Sequence, residues 1–97
     1  MPVPKYRNRD TEEFADGRHV RRLAGVPQQR ANVALDRLEA ATGLIDLREP
    51  PGNRFEKLRG DREGQYSIRI NDQWRVCFEW PDGSPKPHNI EITDYHN

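Results

Sequence analysis

The stretch from Tyr66 to Trp80 constrains this chain more than any other part of it. Tyr66, Ile68 and Ile70 alternate with Ser67 and Arg69, and Trp74, Val76, Phe78 and Trp80 alternate with Arg75, Cys77 and Glu79. A period of two is the signature of half-buried strands, here the two arms of a hairpin. A three-residue loop, Asn71-Asp72-Gln73, sets Ile70 opposite Trp74, Ile68 opposite Val76 and Tyr66 opposite Phe78. That register gathers the large apolar side chains on one face, which must pack on something. A two-residue loop would mix charged and apolar groups on both faces and is rejected. The chosen register also places Arg69 opposite Arg75, and Ser67 opposite Cys77, on the second face. Directly opposed like charges destabilise a sheet. An acid such as Glu79 or Asp94, or a bound phosphodiester, is expected between them.

The rest of the chain supplies what the apolar face packs on. Residues 1–9 are short, Pro-punctuated and form an edge strand at most. Asp10 followed by Glu13 resembles a capping arrangement that opens a short helix ending near Gly17. Residues 18–25 are basic and form a turn of helix or a loop. Pro27 suits the first position of a longer helix, in which Ala31, Ala34, Leu35, Leu38 and Ala41 make one apolar stripe. Gly43 is the expected terminator, and Pro50-Pro51-Gly52 breaks the helical pattern. Residues 54–59 form a short strand running into a Gly60-Asp61 turn. Ile90 and Ile92 mark a last strand ending at Asp94-Tyr95-His96. Helical pieces followed by a meander of strands predict an α+β fold, with N-terminal helices on one face of a small twisted, mainly antiparallel sheet. With 97 residues there is room for one domain, 1–97.

Composition limits the function classes. Hydrophobic residues are 33%, charged residues 33% and the mean hydropathy is -1.09, so the core is small and a binding partner would add stability. Net charge is zero and predicts no nucleic-acid partner, but of the 16 cations only Lys5, Lys57 and Lys86 are lysines. The arginine bias suits a phosphate ligand, because the guanidinium fork pairs bidentately with phosphate; a GC-rich genome produces the same bias. The single Cys77 lies in a strand pattern and reads as a buried structural thiol. No secretory leader or membrane-spanning run is evident, so the expected compartment is the cytoplasm. His19, His88 and His96 show no ligand spacing, and neither metal nor cofactor is expected.

Beyond the Arg69/Arg75 pair, Arg54, Lys57, Arg59 and Arg62 come from the adjoining strand and turn, and His96 from the end of the last strand. If these strands are neighbours, Arg and His converge on one open sheet face. That is the layout for metal-free RNA cleavage. A base takes the proton of a ribose 2′-OH, cations stabilise the charge growing on the phosphate, and an acid protonates the leaving 5′ oxygen. An open face also suits single-stranded RNA, with Tyr95 available for stacking. Taken singly these residues mean less. An arginine on a strand is ordinarily solvated, a histidine near a chain end is ordinarily surface, and Asp94 can serve simply to hold an arginine.

Pro51-Gly52-Asn53-Arg54-Phe55-Glu56-Lys57-Leu58, the run from Gly60 to Arg75 and the closing Asp94-Tyr95-His96 together resemble the HigB-type toxins of the RelE superfamily. The opening residues 6–12 and the Leu38-Glu39-Ala40-Ala41 helix end look similar too. The resemblance implies a RelE-like microbial-RNase fold and ribosome-dependent endoribonuclease activity on mRNA. It also implies a neighbouring helix-turn-helix antitoxin (HigA-like), with the toxin monomeric alone and hetero-oligomeric with its antitoxin. Carried over residue by residue, it implies a catalytic set of Arg59, Arg75, Asp94, Tyr95 and His96. Asp94 would orient His96 or an arginine, and His96 is the best candidate for proton transfer. Arg62 and Arg69 would contact mRNA or ribosomal RNA, joining Arg54 and Lys57.

Two features depart from the pattern. Many relatives carry His at Glu56 and Lys at Arg59. An arginine stabilises charge but cannot act as a base, so Glu56 or His96 must accept the proton, or the reaction leans on electrostatics and alignment. The Pro-rich 81–87 connection also differs and bears on how the last strand is delivered. Two other readings share the fold: a ParE-like toxin acting on DNA gyrase, and a non-catalytic RNA-binding or regulatory relative. The Arg69/Arg75 pair and the Asp-Tyr-His ending argue against the first, since a gyrase binder needs no converging cations; Glu56 and Arg59 keep the second open.

Overall fold

A computed structural model of the protein describes residues 4–94. Helices α1 (Arg9–Ala15), α2 (Gln28–Ala40) and α3 (Ile45–Arg48) precede four strands, β1 (Glu56–Lys57), β2 (Gln65–Arg69), β3 (Arg75–Glu79) and β4 (His88–Thr93). The strands form one antiparallel sheet in the order β1-β2-β3-β4, a plain meander, and the helices pack on one of its faces. This is the expected α+β architecture.

The hairpin register is the one the alternation demands. Tyr66 lies opposite Phe78, Ile68 opposite Val76, Ser67 opposite Cys77 and Arg69 opposite Arg75. Asn71 closes the loop by accepting from the Gln73 and Trp74 amides at 2.9 and 2.7 Å. The apolar face is fully covered: Ile68, Val76 and Phe78 have no exposed surface, and they join Ile90 and Ile92 against Phe14, Leu35 and Leu38 of the helices. The α2 stripe is buried at Ala31, Ala34, Leu35 and Leu38, as its spacing requires.

The helix ends differ from expectation. The cap of α1 is Asn8 rather than Asp10; its extended backbone turns Oδ1 to the Thr11 amide at 2.9 Å. Asp10 lies within the first turn and pairs with Arg22 at 2.6 Å, while Glu13 pairs with Arg9 at 3.6 Å. Pro27 sits one position before α2 rather than in its first turn. Gly43 does not terminate that helix, because Ala41 has already left it with an extended backbone. Asp46 then holds the reversal, accepting from the Thr42 amide and hydroxyl at 2.9 and 3.1 Å. Those two bonds hold the Asp46 carboxyl below the usual carboxylate range.

The outer edge of β4 is closed. Residues 4–7 run parallel to it: the Asn89 and Ile90 amides donate to the carbonyls of Pro4 and Lys5, and the Arg7 amide donates to the Ile90 carbonyl at 2.9 Å. Farther along, the Ile92 amide donates to Oγ1 of the buried Thr11 at 3.1 Å. A short segment and one hydroxyl so occupy backbone groups that would otherwise invite another strand. The Pro-rich 81–87 connection is tied down by Trp80, whose indole donates to the Ser84 carbonyl at 2.9 Å. It delivers β4 beside β3, with the register shifting between Cys77 and Glu79.

Candidate active site

The second face of the sheet is polar but not open. Alternation and pairing place Glu56, Ser67, Cys77 and Glu91 in one row across all four strands, with Arg69, Arg75 and Thr93 in the next. Ser67 and Cys77 have no exposed surface, and Arg75 and Gln65 are buried as well. Long side chains do the covering. Arg62, from the short turn Gly60–Arg62 after β1, donates to Gln65 at 3.0 Å and to Glu91 on the far strand at 3.1 Å. Arg7 approaches the same Glu91 oxygen at 3.5 Å. Under this layer burial pushes the Cys77 thiol up to about 12, against the smaller opposing pull of Arg62. It is a structural thiol, as its place in the strand implied.

Arg75 is the central group. Its guanidinium meets Glu56 Oε1 at 3.2 Å and donates to the Arg54 carbonyl at 3.2 Å, while its Nε is buried with no hydrogen-bond partner among the described residues. The carbonyl reaches it because Arg54 adopts the left-handed conformation, φ 47° and ψ 49°. That region disfavours residues with a Cβ and signals a backbone held in place by its surroundings. The hold comes from Asn53, the last residue of the turn Pro51–Asn53. Buried to 1% exposure, it donates to the Leu47 carbonyl at 3.1 Å and accepts from Arg37.

The predicted residues therefore separate into groups. Arg62, Arg69 and Arg75 share the polar face, as expected, and Glu56 joins them there. The acids against the two opposed arginines, however, are Glu56 for Arg75 and Asp72 for Arg69, rather than Glu79 or Asp94. Arg75 reaches across β2 to the edge strand β1, Arg69 turns to the hairpin loop beyond its own strand, and Glu79 is engaged by Asn89 at 3.2 Å. Asp94, exposed at the end of β4, accepts from Gln73 of the hairpin loop at 3.1 Å. Arg59 is exposed, just before the turn that carries Arg62. Lys57 does not converge with the others. One residue past Glu56, it turns to the helix side of the sheet with Phe55 and Tyr66, because alternation splits neighbours between faces. Tyr95 and His96 lie outside the described residues.

Sequence reasoning missed Asn53, the backbone role of Arg54 and Thr11. The Pro50-Pro51-Gly52 breaker was visible, but burial of the asparagine that follows it carries no periodic signal. Nothing in the residue type announces a left-handed arginine. Among the described residues no group of three or more His, Cys, Asp or Glu is placed to hold a metal ion, and no helix is long and apolar enough to cross a membrane.

Known proteins resemble this chain in sequence and in fold. The profile of a family described as the RelE-like toxin of type II toxin-antitoxin system HigB matches residues 5–96. Toxin HigB-1 of Vibrio cholerae is 40% identical over 82 residues, covering 81% of this chain and 84% of that protein. Endoribonuclease HigB of Proteus vulgaris is 35% identical over 75 residues, covering 75% of this chain and 79% of that one. Among solved structures, the YoeB-YefM complex from Staphylococcus aureus contains a chain of similar fold. The TM-score is 0.56 with 18% identity, over 100% of this chain and 99% of that one.

Proposed function

The chain belongs to the RelE-like HigB toxins of type II toxin-antitoxin systems, and on that premise we propose that it cuts mRNA on the translating ribosome without a metal ion. Endoribonuclease activity goes with this membership and with the name of the Proteus vulgaris relative. The observation that carries the mechanism is Arg75, a buried guanidinium pre-aimed by Glu56 and the Arg54 carbonyl. A cation held this way costs little reorganisation when charge develops on a phosphate, which is where electrostatic catalysis gains most.

In the proposed reaction the ribose 2′ oxygen attacks the adjacent phosphorus and the bond to the 5′ oxygen breaks. The products end in a cyclic phosphate and a free 5′-OH. Glu56 accepts the 2′ proton, standing beside the cation that binds the phosphate, and His96 protonates the departing oxygen. Asp94 orients His96, Tyr95 stacks on a base, and Arg59 adds charge stabilisation that a permanently protonated group can give. Arg62 and Arg69 contact mRNA or ribosomal RNA. The setting is the cytoplasm, and the inhibitor is an antitoxin. The similar YoeB fold was solved with YefM, which supports an antitoxin partner, and we assign this one to the helix-turn-helix, HigA-like type.

Primer extension on an mRNA in a purified translation reaction tests the reading, with and without ribosomes, for wild type and His96→Ala. Codon-spaced cuts that need ribosomes and weaken in the variant are expected. A folded wild-type protein that leaves the mRNA intact would overturn it.

A further inference from the structure

Behind the β1 edge, on the side away from Arg75, α3 and the Pro50-Pro51 corner wall a cleft of about 540 Å³. Its floor is the Phe55–Tyr66 pair, both half-buried, with ring centroids 5.5 Å apart and planes at 25°. Arg48, Arg54 and Lys57 line its walls and no carboxylate does. The side chains of these three exposed cations form no ion pair among the described residues, in a chain where most other arginines near the sheet are matched by an acid. Aromatic rings flanked by unmatched cations satisfy the two halves of an unpaired nucleotide, a base that stacks and a phosphate that carries charge.

The cleft is continuous with the polar face. β1 is a two-residue edge strand, with Glu56 on the Arg75 side and Lys57 on the cleft side. Arg54 belongs to both, its carbonyl holding Arg75 and its side chain lining the cleft. We propose that the cleft is a second RNA subsite, which takes one unpaired nucleotide flanking the cleavage point as the strand wraps over the β1 edge. The base lies against Phe55 and Tyr66, and its phosphate against Arg48, Arg54 and Lys57. This rests on the ribonuclease reading for the identity of the strand.

The test titrates a short 2′-O-methyl oligoribonucleotide, which has no 2′-OH to react, into the ¹⁵N-labelled full chain and follows amide shifts by NMR. Saturable shifts at Arg48, Phe55 and Tyr66 are expected. Arg48→Ala and Phe55→Leu should each weaken the fitted affinity by about fivefold or more, and Arg48→Ala should lower the salt slope by about 1. Should Phe55→Leu fold poorly, Arg48→Ala changes only an exposed side chain and still decides. Shifts confined to the Arg75 face, or unchanged affinity in a natively dispersed Arg48→Ala spectrum, would overturn the subsite. So would loss of antitoxin binding in these variants with RNA binding intact, which would make the cleft an antitoxin groove. His96→Ala separates the two claims: it should weaken cleavage and leave the cleft shifts in place. Cleft shifts in a wild-type protein that cuts no mRNA would sink the nuclease reading and keep the subsite.

Discussion

At their centres the two faces of the sheet are both buried, by opposite means. On the helix side Ile68, Val76 and Phe78 are covered by other apolar side chains, and any partner of suitable shape serves. On the far side Ser67, Cys77 and Arg75 are covered by a lattice of named pairs: Arg62 with Glu91, Arg75 with Glu56, Arg69 with Asp72. Hydrophobic burial is non-directional and forgiving, whereas a buried guanidinium must find its acceptors or carry a large desolvation cost. The first face should therefore set stability and the second activity, and substitutions can separate the two.

The largest effect is expected on the helix side. Phe78→Ala empties a fully buried site and should cost about 3–5 kcal/mol, read as a lowered midpoint in urea. A loss below about 1 kcal/mol would mean the helices are not packed as described. On the polar face, Arg75→Ala should slow ribosome-dependent cleavage by about 10²–10³-fold while far-ultraviolet circular dichroism stays native. Arg75→Lys should not restore the rate, because a single ammonium cannot reproduce the planar fork that meets both Glu56 and the Arg54 carbonyl. A lysine variant that cleaves like wild type would remove the geometric argument for Arg75.

Arg54→Gly sharpens the contrast further, since the residue acts through its carbonyl on one face and its side chain on the other. Glycine tolerates φ 47°, so the variant should unfold about 1 kcal/mol harder. The carbonyl remains, so kcat should hold while KM rises. A fall in kcat with unchanged KM would contradict that division. The smallest effect concerns Cys77. With its folded value pushed up to about 12 from an ordinary 9.0, the native state holds a proton that the unfolded chain releases. Its contribution is complete below about pH 9 and declines as the pH rises toward 12. Cys77→Ala should flatten that alkaline limb of a stability profile, and native wild type should resist iodoacetamide at pH 8 until denaturant is added.

The strand half of the molecule was legible because period-two patterning with a bulky apolar set admits a single register, and Arg69 opposite Arg75 followed from it without any coordinates. Helix ends were less legible. Asn8 and Asp10 are both competent caps, and only the backbone conformation at Asn8 distinguishes them. Within the site, strand parity put Arg69 and Arg75 on one face, and the family resemblance supplied their chemistry and pointed to Glu56. Parity applied one step further would have sent Lys57 to the other face. It was grouped by charge instead, and charge does not report direction.

From residue order alone one can derive the α+β class, the meander, the hairpin register and the cationic content of its outer face, since these follow from local periodicity and from the need to hide apolar surface. The folded chain was needed for the pairings: which acid meets which arginine, the left-handed Arg54 that turns its carbonyl to Arg75, and the joining of Arg48 to Phe55 and Tyr66 across one cleft. These contacts link residues from separate elements through specific directions in space. Direction is a property of packed backbone, and one-dimensional spacing does not carry it.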